Sequence, residues 1–425
     1  MSIIILFVLL FFFLIIGVPV AVSLGLSSLI FIMFQGLPEM VVLHNMISGV
    51  NSFPLIAVPF FILAGHLMNS SGITNKIFSF ARACVGWMHG GLGHVNVGAS
   101  VIFAGMSGAA VADAGGLGNV EIKAMKDAGY DKDFSVGITA ASSTIGPIIP
   151  PSLPLIVYGV IGDASIGQLF AAGIVPGLMM AGSLMMMVWW FSRKRGYPKD
   201  DCFMWSRLGH TFKEAFAPLM TPVIIVGGIL TGLFTPTEAA IAAVAYSMFL
   251  GTVVYRTLNL KSILRVSMDT LETTASIMMI IAASTIFAWI LTANQVAEHF
   301  ATTLLGFTDN HIAIMLIVTV LILIIGCFME TLAAITILVP VLLPVVMKMG
   351  VDPVHFGIIL ILNLMLGLLT PPVGMVLYVL SKVSAVPFER CVVATAPFLI
   401  PLVTVLLILT FVPQLTMWLP ETLYR

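Results

Sequence analysis

Charge is what this 425-residue chain has least of: 9% of its residues are Asp, Glu, Lys or Arg, against roughly 25% in soluble proteins. A water-facing surface cannot be assembled from so little. That excludes a soluble globular protein, a disordered chain and a nucleic-acid binder. No polar stretch is long enough for a soluble domain. The formal net charge of −1 gives no long-range steering of charged partners. Cysteine is equally sparse. Cys84, Cys202, Cys327 and Cys391 show no paired spacing, which argues against a disulfide framework or a zinc site. There is no His-Glu-x-x-His, Gly-x-Ser-x-Gly or Walker loop, and Gly115-Gly116-Leu117-Gly118 has no phosphate-binding lysine in place. An enzyme is therefore not expected, and no cofactor is expected beyond a coupling ion.

What is present is apolar sequence: 60% hydrophobic residues, in runs of membrane-spanning length from end to end. Ten spans are expected, at about 3–18, 19–35, 53–70, 134–158, 166–192, 216–234, 236–255, 270–292, 357–380 and 394–418. The first lacks a basic n-region and runs straight into more apolar chain, so it reads as a retained span. Two further stretches, 94–119 and 312–346, are interrupted near their middles by Gly105-Met106-Ser107-Gly108 and Gly326-Cys327-Phe328-Met329-Glu330. They read as re-entrant hairpins, since irregular backbone at membrane depth survives only inside protein or beside a wet cavity. The linkers 36–52 and 256–269 read as short interfacial arms.

The halves repeat. At a constant offset of 221, Gly105 falls on Gly326, Ala112 on Ala333, Gly146 on Gly367, Pro150-Pro151 on Pro371-Pro372, and Pro176 on Pro397. Five spans per half makes the repeats inverted. Placing the basic 193–213 linker in the cytoplasm puts both termini outside, and sixteen of the eighteen Lys and Arg then fall inside, leaving only Lys348 and Arg425 outside. The fold class expected is an all-α polytopic membrane protein built from inverted repeats, with two re-entrant hairpins and two broken helices. That is the pattern of a secondary transporter with its site at the repeat interface. The division expected is scaffold 1–52, transport part 53–165, scaffold 166–269 with the basic linker 193–213, transport part 270–393, and a last scaffold span 394–425.

Two segments carry the chemistry. Ser142-Ser143-Thr144-Ile145-Gly146-Pro147-Ile148-Ile149-Pro150-Pro151-Ser152 and Asn363-Leu364-Met365-Leu366-Gly367-Leu368-Leu369-Thr370-Pro371-Pro372 should unwind, because proline removes a donor and its predecessor avoids helix. Freed carbonyls ligate a small cation, and the next half-helix presents its positive end to an anion. With each hairpin tip facing the break of its own half, two sodium sites are expected. The first uses Gly105, Ser107, Gly108, Ser143 and Gly146; the second uses Gly326, Met329, Glu330, Gly367 and Thr370. Ser107, Ser152, Asn363 and Pro371 are candidates for contact with the solute. Pro150, Pro151 and Pro372 shape the breaks. Asp113 either braces the first hairpin or ligates an ion, and an intramembrane charge is usually functional. Glu330 is open between ion ligand, proton carrier and vestibule group. Glu238 reads as a helix-start residue. His66, His94 and Asn96 read as packed polar residues. No Lys or Arg falls in these segments, so an anion would be held by helix ends, hydroxyls and cations.

Gly146-Pro-Ile-Ile-Pro-Pro-Ser152, Ser107-Gly-Ala-Ala-Val-Ala-Asp113 and Thr370-Pro-Pro-Val-Gly374 together resemble the large membrane subunit of tripartite ATP-independent periplasmic (TRAP) transporters, the DctM-like family, over nearly the whole chain. The resemblance implies an ion-transporter-superfamily fold with an elevator motion and sodium-driven uptake of an organic acid across the bacterial inner membrane. It also implies two partners, a separate small four-helix membrane subunit and a periplasmic substrate-binding protein. The stretch from Thr370 to Ser384 looks closer to the sialic-acid branch than to the C4-dicarboxylate branch. A stand-alone sodium/carboxylate transporter of related fold is the alternative. An intramembrane enzyme would have only Asp113 and Glu330 for its acid–base work, and paired hairpins argue against a channel.

Overall fold

The computed structural model describes residues 3–198, 203–307 and 310–424, without the side chains of 106–107, 300–301, 303–305 and 307. Lys199, Cys202 and Arg425 therefore lie outside the described residues. Those described form helices and connecting turns with no strand. Eight of the helices are long and apolar enough to cross a membrane. The chain is a multi-pass membrane protein.

The first half opens with α1 (Ile4–Ile15), α2 (Val20–Phe34), α3 (Met40–Val50), α4 (Ala57–Ser70) and α5 (Ile73–Val85). Hairpin 1 follows: α6 (Gly91–Ser107) enters, and α7 (Ala110–Gly115) with α8 (Leu117–Asp127) returns. The first broken helix is α9 (Lys132–Ser143) and α10 (Leu153–Ile161), and α11 (Ile166–Arg195) closes the half. The second half runs through α12 (Trp205–Leu230), α13 (Pro236–Phe249), α14 (Leu260–Ala293) and α15 (Val296–Phe307). Hairpin 2 is α16 (His311–Phe328) and α17 (Thr331–Lys348). Then come the second broken helix, α18 (Pro353–Gly367) and α19 (Met375–Ser384), and finally α20 (Phe388–Phe411) and α21 (Gln414–Leu423). Hairpins and breaks thus fall where the interruptions in the sequence place them.

Helix ends follow local chemistry. Thr235 and Glu238 form a reciprocal capping box at the start of α13, with Thr235 N donating to Glu238 Oε2 at 2.8 Å and Glu238 N to Thr235 Oγ1 at 3.3 Å. Glu238 is a helix-start residue, as its position in the sequence suggests.

Three expectations need correction. The arm at 256–269 is not separate from the span at 270–292: α14 is one 34-residue helix capped by Asn259. Its sequence contains no Gly or Pro to stop it. The matching arm α3 is detached, because Pro54 follows it and turns the chain. The last span ends at Phe411, and α21 starts afresh beyond Pro413. The helix expected at 216–234 begins already at Trp205. Packing also relates the long helices to the hairpins and breaks. α11 and α20 pack on each other and on the broken helices. Gly137 of α9 lies so close to α20 that a Cβ there would meet Ala394 O at 2.2 Å, and Phe398 sits 5.8 Å from Phe134 and 5.7 Å from Phe191. α4 instead packs mainly with α13 and α14, and α14 with α2 and α3 as well as with α17 of hairpin 2. The packing therefore groups 166–192 and α20 with the hairpins and breaks, and 53–70 and α14 with the outer helices. Hydrophobicity alone does not rank one apolar helix face against another.

Contacts also sort the ends of the helices. Arg195–Asp131 (3.3 Å), Arg390–Asp133 (2.9 Å), Lys76 over the Tyr255 ring (3.7 Å) and Trp87 against Phe203 (6.3 Å) join segments that the charge pattern assigns to one side. Lys348–Glu298 (3.7 Å) joins segments assigned to the other.

Candidate functional site

Each hairpin tip meets the break of its own half. At tip 1, Gly108 has φ +58°, and a Cβ there would lie 2.6 Å from Pro151 O and 3.4 Å from Ser152 Cα. Only glycine takes that backbone shape and that approach without cost. Gly146 faces the same spot: a Cβ on it would reach Ala109 N at 4.0 Å and Ser143 O at 3.5 Å. Gly108, Ser143 and Gly146 are thus gathered. Gly105 is not. It lies against α12, where its Cβ would meet Pro222 Cβ at 2.6 Å. The side chain of Ser107 lies outside the described residues.

The first break is buried from Ser142 to Ser152 apart from a half-buried Ile149. Its hydroxyls turn back onto their own chain. Ser143 donates to Ala140 O (2.8 Å), Thr144 to Ala141 O (2.6 Å) and Ser152 to Pro147 O (2.5 Å), while Ser152 Oγ caps α10 by accepting from Leu155 N (3.2 Å). A hydroxyl that has donated its proton still offers oxygen lone pairs to a cation. Asn96 holds this end of α9 in place: its amide donates to Thr139 Oγ1 (2.7 Å) and accepts from Ser142 Oγ (2.6 Å). The Pro150–Pro151 and Pro371–Pro372 peptide bonds are both cis. α11 seals the far side. A Cβ at Gly173 would strike Ile148 O at 2.2 Å, and one at Gly177 would strike Ile149 Cγ1 at 2.2 Å.

At tip 2, Gly367 faces Gly326 so closely that a Cβ would lie 2.7 Å from Gly326 O. Thr370 donates to Leu366 O (2.8 Å) or Gly367 O (3.1 Å) and sits 3.1 Å from Cys327 Sγ, and Val373 N donates to Cys327 O (3.3 Å). Asn363, one turn below Gly367, is fully buried, and neither amide atom has a partner. Met329 packs its side chain into the apolar core. Glu330 is the N-cap of α17, its Oε2 accepting from Leu332 N (3.0 Å) and Ala333 N (3.2 Å). Pro371 and Pro372 are exposed, unlike their buried counterparts Pro150 and Pro151.

Between the tips lies a cavity of about 710 Å³. Tip 1 (Ala109 to Val111), Pro147 and Leu153, tip 2 (Glu330 to Ala333) and the end of α18 form one wall. The start of α2 and residues 272–280 of α14 form the other. Its polar lining is Glu272, Thr273, Ser276, Glu330 and Thr331, and among the described residues no Lys or Arg lines it. Ser152, Asn363 and Pro371 do not line it. Glu272, Thr273 and Ser276 were missed by the reading of the breaks. Their signal was present in the sequence as hydroxyls and a carboxylate one turn apart on an otherwise apolar helix. Cys327 was quoted within a break but given no role. His66 and Asn96 are packed polar residues, His66 Nδ1 lying 3.2 Å from Thr270 Oγ1.

Comparison with known proteins gives the following. The family profile described as "Tripartite ATP-independent periplasmic transporter, DctM component" matches residues 7–415. The sialic acid TRAP transporter large permease protein SiaM of Vibrio cholerae is 47% identical over 95% of both chains. The sialic acid TRAP transporter permease protein SiaT of Haemophilus influenzae is 42% identical over 96% of this chain and 66% of its own length. The C4-dicarboxylate TRAP transporter large permease protein DctM of Rhodobacter capsulatus is 35% identical over the full length of both. Among solved structures, that of the YdaH transporter of Alcanivorax borkumensis superposes with a TM-score of 0.66 at 15% identity, over 90% of this chain and 88% of that one, a likeness of fold.

Proposed function

This chain belongs to the DctM-component family of TRAP transporters, a transporter subunit and not an enzyme, and from that premise we propose that it carries an organic acid inward with sodium, sialic acid first and C4-dicarboxylates next. The observation that carries the coupling is the lining of the central cavity. An anion placed there meets two carboxylates, Glu272 and Glu330, and no cationic side chain among the described residues. At close range that arrangement repels an anion. Cations bound beside the cavity reverse the sign. The two tip-and-break pairs are the places for them: carbonyls near Gly108 and Gly146 with Ser143 Oγ, and carbonyls near Gly326 and Gly367 with Thr370 Oγ1. The unpartnered amide of Asn363 supports a ligand near the second. Glu330, already engaged by two backbone N–H groups, serves as a cap at the cavity wall.

The two walls of the cavity belong to different packing groups, which is what an elevator needs. The hairpins and breaks carry the solute, and α2 and α14 form the surface they move against. The resemblance adds a small membrane subunit, a periplasmic binding protein and placement in the bacterial inner membrane, and the charge pattern adds both termini outside. The preference for sialic acid rests on the higher identity to the sialic acid relatives.

The test is uptake of labelled sialic acid into proteoliposomes holding this chain and its small subunit, with the binding protein outside. Uptake that needs both an inward sodium gradient and the binding protein is expected. Uptake without the binding protein would establish the stand-alone carrier instead. Absence of uptake while C4-dicarboxylate is taken up would move the substrate. In the same assay Ser143→Ala with Thr370→Ala should raise the sodium concentration for half-activation at least several-fold, and unchanged sodium activation would remove both assigned sites.

A further inference from the structure

The returning limb of hairpin 1, α7 and α8, carries two carboxyl groups that take no part in the cavity. Asp113 and Glu121 are 2% and 1% exposed. Both oxygens of Asp113 and Oε1 of Glu121 are buried without a hydrogen-bond partner. Ser100 of α6 approaches Asp113 without closing a hydrogen bond of normal geometry. Glu121 stands within electrostatic reach of Asp113. The helices packed on this limb bring His66 (α4), His94 (α6), Lys132 and Asp133 (α9), and Tyr378 and Lys382 (α19). The limb itself adds Lys123, Lys126 and Asp127. None of these acts on either carboxyl.

Two ionised carboxylates this deep, with no counter-charge, would cost many kcal/mol, and like charges in one site cannot both ionise. A protonated carboxyl, by contrast, becomes a donor, and its neighbour is an acceptor. We propose that Asp113 and Glu121, both buried and without a counter-charge, form a proton-binding site inside hairpin 1, which holds at least one proton and moves with the hairpin. The proton is taken from water by one carboxylate and returned to water on ionisation, with no other bond made or broken. The corresponding positions in hairpin 2, at the offset of 221, are Ala334 and Leu342. A hairpin of this kind is therefore built without the pair, and the pair is particular to hairpin 1.

Infrared difference spectroscopy of the purified chain in nanodiscs, stepped from acid to alkaline pH in H₂O and D₂O, tests this. A deuterium-sensitive C=O band of a protonated carboxyl should persist at neutral pH, where exposed carboxyls have ionised. It should be lost in the Asp113→Asn/Glu121→Gln double variant. Absence of the band in the unmodified chain, or its survival in the double variant, overturns the proposal. Should the double variant elute as aggregate, the single variants decide. Each must shift or abolish the band, and a band unmoved by both refutes the site.

Discussion

At the scale of single residues, the tip of hairpin 1 depends on the missing side chain of Gly108. A non-glycine residue in the left-handed region costs about 1–2 kcal/mol, and here the added methyl would also press on the Pro151 carbonyl at 2.6 Å. Gly108→Ala should therefore lower the thermal midpoint in detergent and suppress uptake. Gly182→Ala, in an exposed helical position with nothing within 4 Å, should leave both unchanged or slightly raise stability. Asn96 makes a second residue-scale case. Asn96→Ala strips the buried Ser142 and Thr139 hydroxyls of their shared partner, at about 1–3 kcal/mol for each group left unsatisfied. Thermal denaturation should show that loss. Asn45→Ala, whose amide donates only within its own helix to Val41 O (2.8 Å), should show far less.

At the scale of elements, the interplay of α9, α11 and α20 at one end of the bundle shows which force dominates. Their ion pairs are exposed: Arg390 and Asp133 retain 66% and 41% side-chain exposure, so each pair is worth under about 1 kcal/mol. Beside them Tyr197 stacks on Tyr130 at 4.7 Å and leans on Phe134 at 4.8 Å, and its hydroxyl donates to Asp131 Oδ2 at 2.6 Å. Burial, with that hydrogen bond, pushes the Tyr197 hydroxyl up to about 12, so it remains a donor throughout the physiological range. Tyr197→Ala should cost about 3 kcal/mol, as large aromatic truncations do, while Arg390→Gln should be nearly silent. A ranking of the two variants the other way in a thermal-shift assay would overturn this order of forces.

Elements are also where sequence reading succeeds and fails for stated reasons. Glycine and proline interrupt a helix by backbone sterics, which are local, so both hairpins and both breaks stand where Gly105 to Gly108, Gly146 to Pro151, Gly326 to Glu330 and Gly367 to Pro372 put them. The short amphipathic helix α5 was passed over because Lys76 and Arg82 lower its hydropathy, although Ile73, Ile77 and Ala81 repeat at helical spacing and are buried. The cavity-lining side chains are not legible in the sequence. Which face of α14 turns toward the tips depends on contacts between segments far apart in the chain, so Thr273 and Ser276 line the cavity while Asn363 and Ser152 do not.

At the scale of the whole molecule, the proposed motion of the hairpin group can be tested at the contact between hairpin 1 and α12. A Cβ on Gly105 of hairpin 1 would lie 2.6 Å from Pro222 Cβ of α12, closer than the roughly 3.5–4.5 Å of a disulfide, so the two segments must part slightly for the bond to close. In a background without other cysteines, Gly105→Cys with Pro222→Cys should crosslink on oxidation, abolish uptake, and recover it with reductant. Crosslinked protein that still transports at the full rate would exclude relative movement at this contact. Both packing groups draw helices from both halves of the chain, so neither is complete until the second half has been made.

The unbroken course of α14 has one more consequence. Thirty-four residues at a rise of about 1.5 Å make a rod of about 51 Å, longer than the roughly 40–45 Å of a bilayer with its headgroups. Such a rod must lean or protrude, and because its residues 272–280 form a wall of the central cavity, a change in its lean is expected to move that wall. Bilayer thickness is thereby expected to act on the cavity through this helix: reconstitution into lipids of longer or shorter acyl chains should change turnover without any change in ligands.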